Sequence, residues 1–192
     1  MRAFVGGLLV AIIVLLLFAF VAVKTGLVPA RADGRPLPFE RWAARASLAA
    51  TIAREAPKPP YPFADTPAAE QRGATLYVQN CAVCHGTAHT TPNAIALGLS
   101  VRPPQFNKRG VDDDPPGVTY WKVSHGIRFT GMPAFGGRLD EKSLWDVTYF
   151  LAHKPADLTS AARAIWQHPQ SVPGPTPLPE PRGTPGQLAN TR

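Results

Sequence analysis

The chain has 192 residues, including 22 prolines and two cysteines, and a formal net charge of +7. This length is enough for one domain with extensions rather than for two domains. The positive charge does not indicate a nucleic-acid partner, because most of it lies outside the central segment. Residues 66–168 carry ten Lys/Arg against eight Asp/Glu. The basic residues there form no stripe with interleaved aromatic side chains, which is the usual footprint of a nucleic-acid interface. We therefore expect no nucleic-acid partner.

An unbroken apolar run, Ala3 to Val23, opens the chain. At about 1.5 Å per residue it is long enough to cross a hydrocarbon core of about 30 Å. We predict that residues 1–24 form an uncleaved transmembrane anchor. The alternative is a secretory signal with Ala30-Arg31-Ala32 as its cleavage site, although the apolar region of a signal is usually shorter. Both interpretations export the rest of the chain.

Residues 25–65 are predicted to be a linker that contains an amphipathic helix over residues 39–55. This helix is either a spacer that packs on the following domain or a docking helix for a partner or the membrane surface. Four prolines between residues 57 and 62 follow it and predict a short polyproline segment. The apolar residues that recur at helical spacing are Phe39, Trp42, Ala46, Ala49, Ile52 and Ala53.

The domain is predicted to span residues 66–168 and to be all-α, since few runs of period two occur. Residues 169–192 hold seven prolines and are predicted to form a disordered tail. A helix over Asp140–Ala152 is expected to end before Pro155. The predicted helix starts are Thr66-Pro67, Asp114-Pro115, Asp140, and either Asp157 or Thr159.

The motif Cys81-Ala82-Val83-Cys84-His85 contains both cysteines and has the order and spacing of c-type haem attachment. A structural zinc site would need four Cys or His ligands. No second pair at a regular spacing occurs, and only His89 lies close by. A thioredoxin-like pair would need a βαβ context, whereas the flanks indicate helix and loop. The sequence therefore predicts one covalently attached haem c, with thioethers at Cys81 and Cys84 and the iron bound by His85.

Met132 is the predicted second axial ligand of the iron. Besides Met1 it is the only methionine, and it lies in Thr130-Gly131-Met132-Pro133. The glycine permits a close backbone approach, and the proline keeps the loop from becoming helical. A thioether ligand raises the reduction potential of a haem. Met132 as a flexible core residue is the plain alternative, and the rival ligands are His125, His89 and His153.

Three motifs in this order resemble a class I cytochrome c: Cys-x-x-Cys-His-Gly, Gly-Met-Pro-x-Phe and the terminal Leu-Trp-Asp-Val-x-Tyr-Phe-Leu. The resemblance covers roughly residues 66–153. It implies the class I fold, in which the first and last helices cross near the haem. It also implies that a loop proline, Pro103 or Pro104, offers its carbonyl to the second ring nitrogen of His85. The residues implied at the helix crossing are Gly73, Tyr77, Val147 and Phe150.

The same resemblance implies an electron carrier rather than an enzyme, anchored by a single span in the bacterial inner membrane with its domain in the periplasm. Its partners would be redox proteins of a respiratory chain: a dehydrogenase, a quinol-oxidising complex or a terminal oxidase. It would act as a subunit of a larger complex or as a tethered shuttle to a terminal oxidase. A haem peroxidase is disfavoured by the intact methionine loop. A haem-based sensor is disfavoured because only Met1 and Arg2 precede the apolar run.

Other residues near these motifs have less specific roles. Trp121 and Trp145 are predicted to be core residues rather than stations for electron relay. Arg102, Arg128 and Arg138 are candidates for ion pairs with the haem propionates.

Overall fold

The computed structural model describes residues 2–106, 114–153 and 155–174. These residues form helices and loops without a β-strand, which confirms the all-α prediction. The chain divides into two compact units, residues 1–43 and 44–192. The helices are α1 (Arg2–Lys24), α2 (Glu40–Glu55), α3 (Pro67–Asn80), α4 (Ala82–His85), α5 (Ala94–Gly98), α6 (Pro116–His125), α7 (Glu141–Ala152) and α8 (Ser160–Gln167), followed by a 3₁₀ turn at Pro169–Ser171.

Helix α1 is long and apolar enough to cross a membrane. Its segment Phe4–Lys24 has a mean hydropathy of 3.1 over the most apolar stretch, none of which is buried. The 21 residues of this segment give a length of about 32 Å, which matches the hydrocarbon core of a bilayer. A signal sequence has a similar position and composition. Helix α1 is therefore a membrane anchor or a signal segment.

The core of the second unit is built around α7. Every residue of α7 from Leu144 to Leu151 is buried, because α3 and α6 both pack against this helix. The apolar face predicted for α7 is therefore part of a helix covered nearly all round. The buried apolar residues of the main cluster are Ala74, Tyr77, Val123, Phe135, Leu144, Val147, Phe150, Leu151, Leu158, Ala162 and Trp166.

Helices α3 and α7 approach most closely at Gly73. A Cβ atom at this position would lie 2.0 Å from the Asp146 carbonyl oxygen and 2.8 Å from the Phe150 Cβ. One turn further along α3, the rings of Tyr77 and Phe150 are 5.2 Å apart. Gly73, Tyr77 and Phe150 therefore lie at the crossing, as the resemblance implied, and the two backbones meet at the glycine.

Two buried carboxylates tie the helices together. Asp146 accepts two hydrogen bonds from Arg72, at 2.7 and 3.0 Å, and is also bound by Lys142 of its own helix. Glu70 accepts a hydrogen bond from the Thr159 amide at 2.9 Å, just before α8. Each charge taken out of water is thus matched by a donor from another part of the fold, as buried charges require.

Residues 55–63, which the sequence assigned to the linker, pack on the domain. The Trp121 indole donates a hydrogen bond to Glu55 at 3.2 Å, and the ring of Tyr61 lies 4.8 Å from that of Trp145. A Cβ at Gly117 would meet the Pro57 carbonyl oxygen at 1.9 Å. Residues 55–63 thus belong to the compact unit that begins at Ala44.

Most predicted helix starts are found, with one error. The side chains of Thr66, Asp140 and Thr159 cap α3, α7 and α8 as N-caps, so Thr159 rather than Asp157 begins the last helix. The prediction for α6 was wrong by one residue, because Pro115 occupies the cap and Asp114 instead binds Lys122. The predicted tail, residues 169–192, lies outside the described residues from residue 175 onward.

The crossing predicts the effect of adding one methyl group. We expect Gly73→Ala to lower the free energy of unfolding by about 1–3 kcal/mol, because overpacking at a rigid contact outweighs the gain in helix propensity. Guanidinium unfolding of the detergent-solubilised protein, followed by circular dichroism, measures this change. Gly137→Ala is the matched control, since a Cβ there meets nothing within 4 Å. Equal stability of the two variants would contradict the packing role of Gly73.

Candidate haem site

Helix α3 leads directly into the haem-attachment motif. Thr66 caps the start of α3 by accepting a hydrogen bond from the Ala69 amide at 3.2 Å. At the other end, the Cys81 amide donates to the Tyr77 carbonyl at 2.8 Å, and α4 follows as a single turn. Tyr77 is buried, and its hydroxyl donates to the Gly86 carbonyl at 2.6 Å. This bond holds the residue after His85 against α3, so both ends of the motif are fixed by one helix.

The structure decides between the two candidate prolines. His85 Nδ1 lies 2.9 Å from the Pro104 carbonyl oxygen. A carbonyl can only accept, so Nδ1 carries the proton and the lone pair of the neutral ring is on Nε2. Burial lowers the pKa of His85, with the Pro104 hydrogen bond acting in the opposite direction. The ring is therefore neutral at pH 7 and oriented by a second partner, as metal-binding histidines usually are.

The residues after Pro104 reinforce this arrangement, and the sequence did not identify them. Gln105 Nε2 donates to the carbonyls of Cys84, at 2.8 Å, and Pro103, at 3.2 Å. The Phe106 amide donates to the His85 carbonyl at 3.0 Å. The Phe106 ring stacks on the imidazole with centroids 4.7 Å apart and planes 9° apart. These contacts join segments about twenty residues apart, and no local pattern signals them.

Both cysteines are free thiols on one helical turn, partly buried and not joined to each other. Cys81 packs against the main core cluster, and burial raises its pKa to about 12. Within the described residues, no three Cys, His, Asp or Glu side chains converge as a bare metal ion would require. The donor set thus suits attachment of an organic group more than a zinc ion.

Met132 lies in a closed loop that follows α6. The Thr130 hydroxyl donates to the Ile127 carbonyl at 2.7 Å and accepts from the Met132 amide at 3.1 Å. The Ile127 amide donates back to the Met132 carbonyl at 3.2 Å. Gly126, with φ +65°, lets the chain turn here, since a Cβ would lie 2.6–2.7 Å from backbone atoms of residues 132–134. Thr130 thus holds the Met132 loop in its conformation, a role that the sequence did not indicate.

Three residues at or beside the predicted haem site pack against the same core cluster. Met132 and Cys81 both pack against the main cluster, as does Phe106, the ring stacked on His85. The Met132 loop also meets the loop after α5, because a Cβ at Gly131 would lie 2.5 Å from the Leu99 side chain. The roles of His85 and Met132 as axial ligands stay predictions.

Apolar side chains are exposed in the motif, in α5 and in the loops that follow α5 and α6. Phe129, three residues before Met132, is 89% exposed and has a left-handed backbone with φ +62°. Exposed apolar side chains are available for contact with another apolar body. A porphyrin is such a body, so the thiols, the oriented imidazole and these side chains together fit haem c. The other exposed apolar residues are Val83, Ile95, Leu97 and Val101.

Two of the three rival histidines bond to the carbonyl four residues earlier in the chain, and the third is exposed. His125 is exposed, and its Nδ1 lies 3.1 Å from the Trp121 carbonyl of its own helix. His153 bonds to the Tyr149 carbonyl at 2.9 Å and faces Asp65 at 3.5 Å, and His89 is exposed.

The remaining candidates differ in what the structure shows of them. Trp121 and Trp145 are buried, as predicted for core residues. Arg102, Arg128 and Arg138 are exposed and form no ion pair within the described residues, so their pairing with propionates stays a prediction.

Residues 68–151 match the family model described as cytochrome c oxidase, cbb3-type, subunit III. With the all-helical fold and the three motifs, this match shows that residues 68–151 form a c-type cytochrome domain of class I. Such a domain implies haem c and electron transfer. Within that class, the chain is similar to the oxidase subunit that the family description names, over 84 of its 192 residues. Comparisons with curated proteins and with solved structures found no match.

Proposed function

We propose that this protein is a membrane-anchored cytochrome c that carries one covalently attached haem and transfers single electrons between redox proteins of a respiratory chain. In this proposal α1 anchors the chain in the bacterial inner membrane, and the cytochrome domain lies in the periplasm. The observation that carries the proposal is the hydrogen bond from His85 Nδ1 to the Pro104 carbonyl, 2.9 Å long. It presents Nε2 of a neutral imidazole from the same turn that carries the two cysteines.

Each residue of the site has a distinct part in the proposal. Cys81 and Cys84 hold the haem through thioethers, which fixes its position relative to α3. His85 would ligate the haem iron, and Met132 would supply a second ligand from the loop held by Thr130. The haem would supply the one-electron chemistry. With two ligands from the chain, the site would favour electron transfer over the binding of a small substrate at the iron.

The partner is proposed from the family description. Since residues 68–151 match a model of an oxidase subunit, we favour a subunit of a terminal oxidase complex. A tethered shuttle that visits a dehydrogenase, a quinol-oxidising complex or an oxidase is the second candidate. It is favoured by the 15 residues between α1 and α2, because a linker of this length lets a domain move between sites.

Covalent attachment is tested by removing the thiols. We expect the double variant Cys81→Ser, Cys84→Ser to lose all haem on a denaturing gel stained for haem, because no thioether can form. Met132→His is the matched control and should keep its stain, since both thioethers remain. A wild-type chain without a haem stain, or a double variant that keeps one, would overturn the proposal.

The ligand role of Met132 is tested by spectroscopy and potentiometry. We expect Met132→His to lose the weak sulfur-to-iron band at the red end of the spectrum. Its reduction potential should fall by on the order of 100 mV or more, because axial ligation sets haem potentials over a range of about 0.8 V. His125→Gln should leave both properties unchanged. The reverse pattern, with His125→Gln losing the band, would assign the iron to His125.

The choice between subunit and shuttle is tested by purification in mild detergent. A subunit should copurify with a terminal oxidase at constant stoichiometry and stay bound in high salt, which screens exposed charge pairs. A cytochrome with intact haem that elutes alone at low salt would contradict the subunit and support the shuttle.

A further inference from the structure

One face of α2 is apolar and exposed. Trp42 is 73% exposed, and Phe39, just before the helix, is 65% exposed. Ala46, Ala49 and Ala53 continue the same face at spacings of three and four residues, and all three are exposed. No residue of α2 is fully buried. The helix therefore presents an aromatic pair and an alanine stripe without a partner in the described part of the chain.

The contact of α2 with the domain is made at the C-terminal end of the helix. Leu48, Thr51 and Ile52 are its half-buried residues, and Glu55 at its end accepts the hydrogen bond from Trp121. At 3.6 residues per turn Leu48 and Thr51 lie on another side of the helix from Trp42, and Ile52 lies between the two sides. The hydrogen bond of Glu55 thus leaves the aromatic face uncovered in the described part of the chain.

The charges beside the aromatic face are positive and unpaired. Residues 35–53 contain three arginines and one acidic residue, Glu40. Glu40 is engaged in accepting a hydrogen bond from the Leu37 amide at 2.9 Å. Arg35, Arg41 and Arg45 have no ion pair among the described residues, whereas Arg31 and Arg54 pair with their acidic neighbours. An anionic surface would complement this segment.

We infer that the N-terminal half of α2 binds the surface of an anionic lipid bilayer, with Phe39 and Trp42 in the headgroup region and Arg41 and Arg45 between lipid phosphates. Indole rings favour this depth because they are apolar with one polar group. An aromatic face bordered by arginine is typical of interfacial helices. The inference rests on the anchoring proposed above, in which α1 ends at Lys24, 15 residues before Phe39.

The chain itself favours lipid over a protein groove. A groove that binds a helix selects large anchors at i, i+3 or i+4 and i+7, whereas the positions after Trp42 are alanines. On the exposed face, the large side chains are confined to the end of the helix that is nearer to α1 in the sequence. Fully extended, the 14 residues between Lys24 and Phe39 reach about 50 Å at most, so the tether keeps the aromatic pair within reach of the bilayer.

Tryptophan fluorescence of the full chain in vesicles tests the inference. Trp121, Trp145 and Trp166 are buried, so Trp42 is the exposed indole among the four tryptophans. Subtracting the emission of Trp42→Phe, which keeps an aromatic ring, isolates the Trp42 signal. In vesicles containing phosphatidylglycerol we expect lipids brominated near the headgroup to quench this signal strongly and acrylamide to quench it weakly.

The charge contribution is tested in the same vesicles. We expect the double variant Arg41→Gln, Arg45→Gln to lower the ratio of lipid-bound to free helix by about 20- to 30-fold, at about fivefold for each basic residue. Its quenching should no longer depend on phosphatidylglycerol. Arg54→Gln is the matched control, because Arg54 already pairs with Glu55, and it should quench like the wild type. If Arg54→Gln reduces lipid binding as much as the double variant does, the role of Arg41 and Arg45 is overturned.

An alkaline carbonate wash separates this inference from the proposed anchor. If the wash leaves the protein in the membrane but lipid does not quench Trp42, the interfacial helix is overturned and the anchor stands. If the wash releases the protein, the anchor is overturned. The released mature chain is then mixed with the same vesicles, where quenching of Trp42 supports the helix and its absence overturns it. If Trp42 is shielded from acrylamide only in the presence of a copurifying complex, the lipid contact is overturned and a protein contact is supported.

Discussion

The close approach of α3 and α7 at Gly73 is the constraint on which the site depends. A Cβ there would lie 2.0 Å from the Asp146 carbonyl oxygen, so the two backbones touch with nothing between them. Because α3 continues into Cys81, this contact fixes where the attachment motif begins. Tyr77, on the same helix, binds the Gly86 carbonyl at the far end of the motif. Helix α3 therefore belongs both to the core and to the haem site. A shift of α3 in the core would also move the attachment motif.

Local signals predicted most of the helices, because caps and apolar spacing act over a few residues. Thr66, Asp140 and Thr159 cap their helices through side-chain hydrogen bonds, as their residue types indicate. Helices α4 and α5 were missed because four and five residues are too few to show a period. The α6 start was misplaced because the Asp114 carboxylate binds Lys122, a partner that the helix itself brings near. A sequence pattern thus shows that a side chain such as Asp114 can cap a helix. It does not show whether that side chain will bond to another residue instead.

The candidate site also has parts that local sequence predicts and parts that it does not. The attachment motif and the Met132 loop are short continuous segments, and their chemistry is readable residue by residue. The choice of Pro104 over Pro103, and the contacts of Gln105 and Phe106 with the motif, depend on how a distant loop folds back. The packing of Tyr61 on Trp145 likewise needs α7 in place before residues 55–63 have a surface to cover. These contacts join segments that are distant in the sequence, so local sequence patterns do not predict them.

The position of Cys81 has a consequence for the attachment step. This residue packs against the main core cluster, and burial raises its pKa to about 12. Thiolates rather than thiols are the reactive nucleophiles of cysteine, so packing of the domain disfavours the reactive form of this side chain. The proposed thioether would therefore form more readily on an unfolded polypeptide than on one in which Cys81 is already packed.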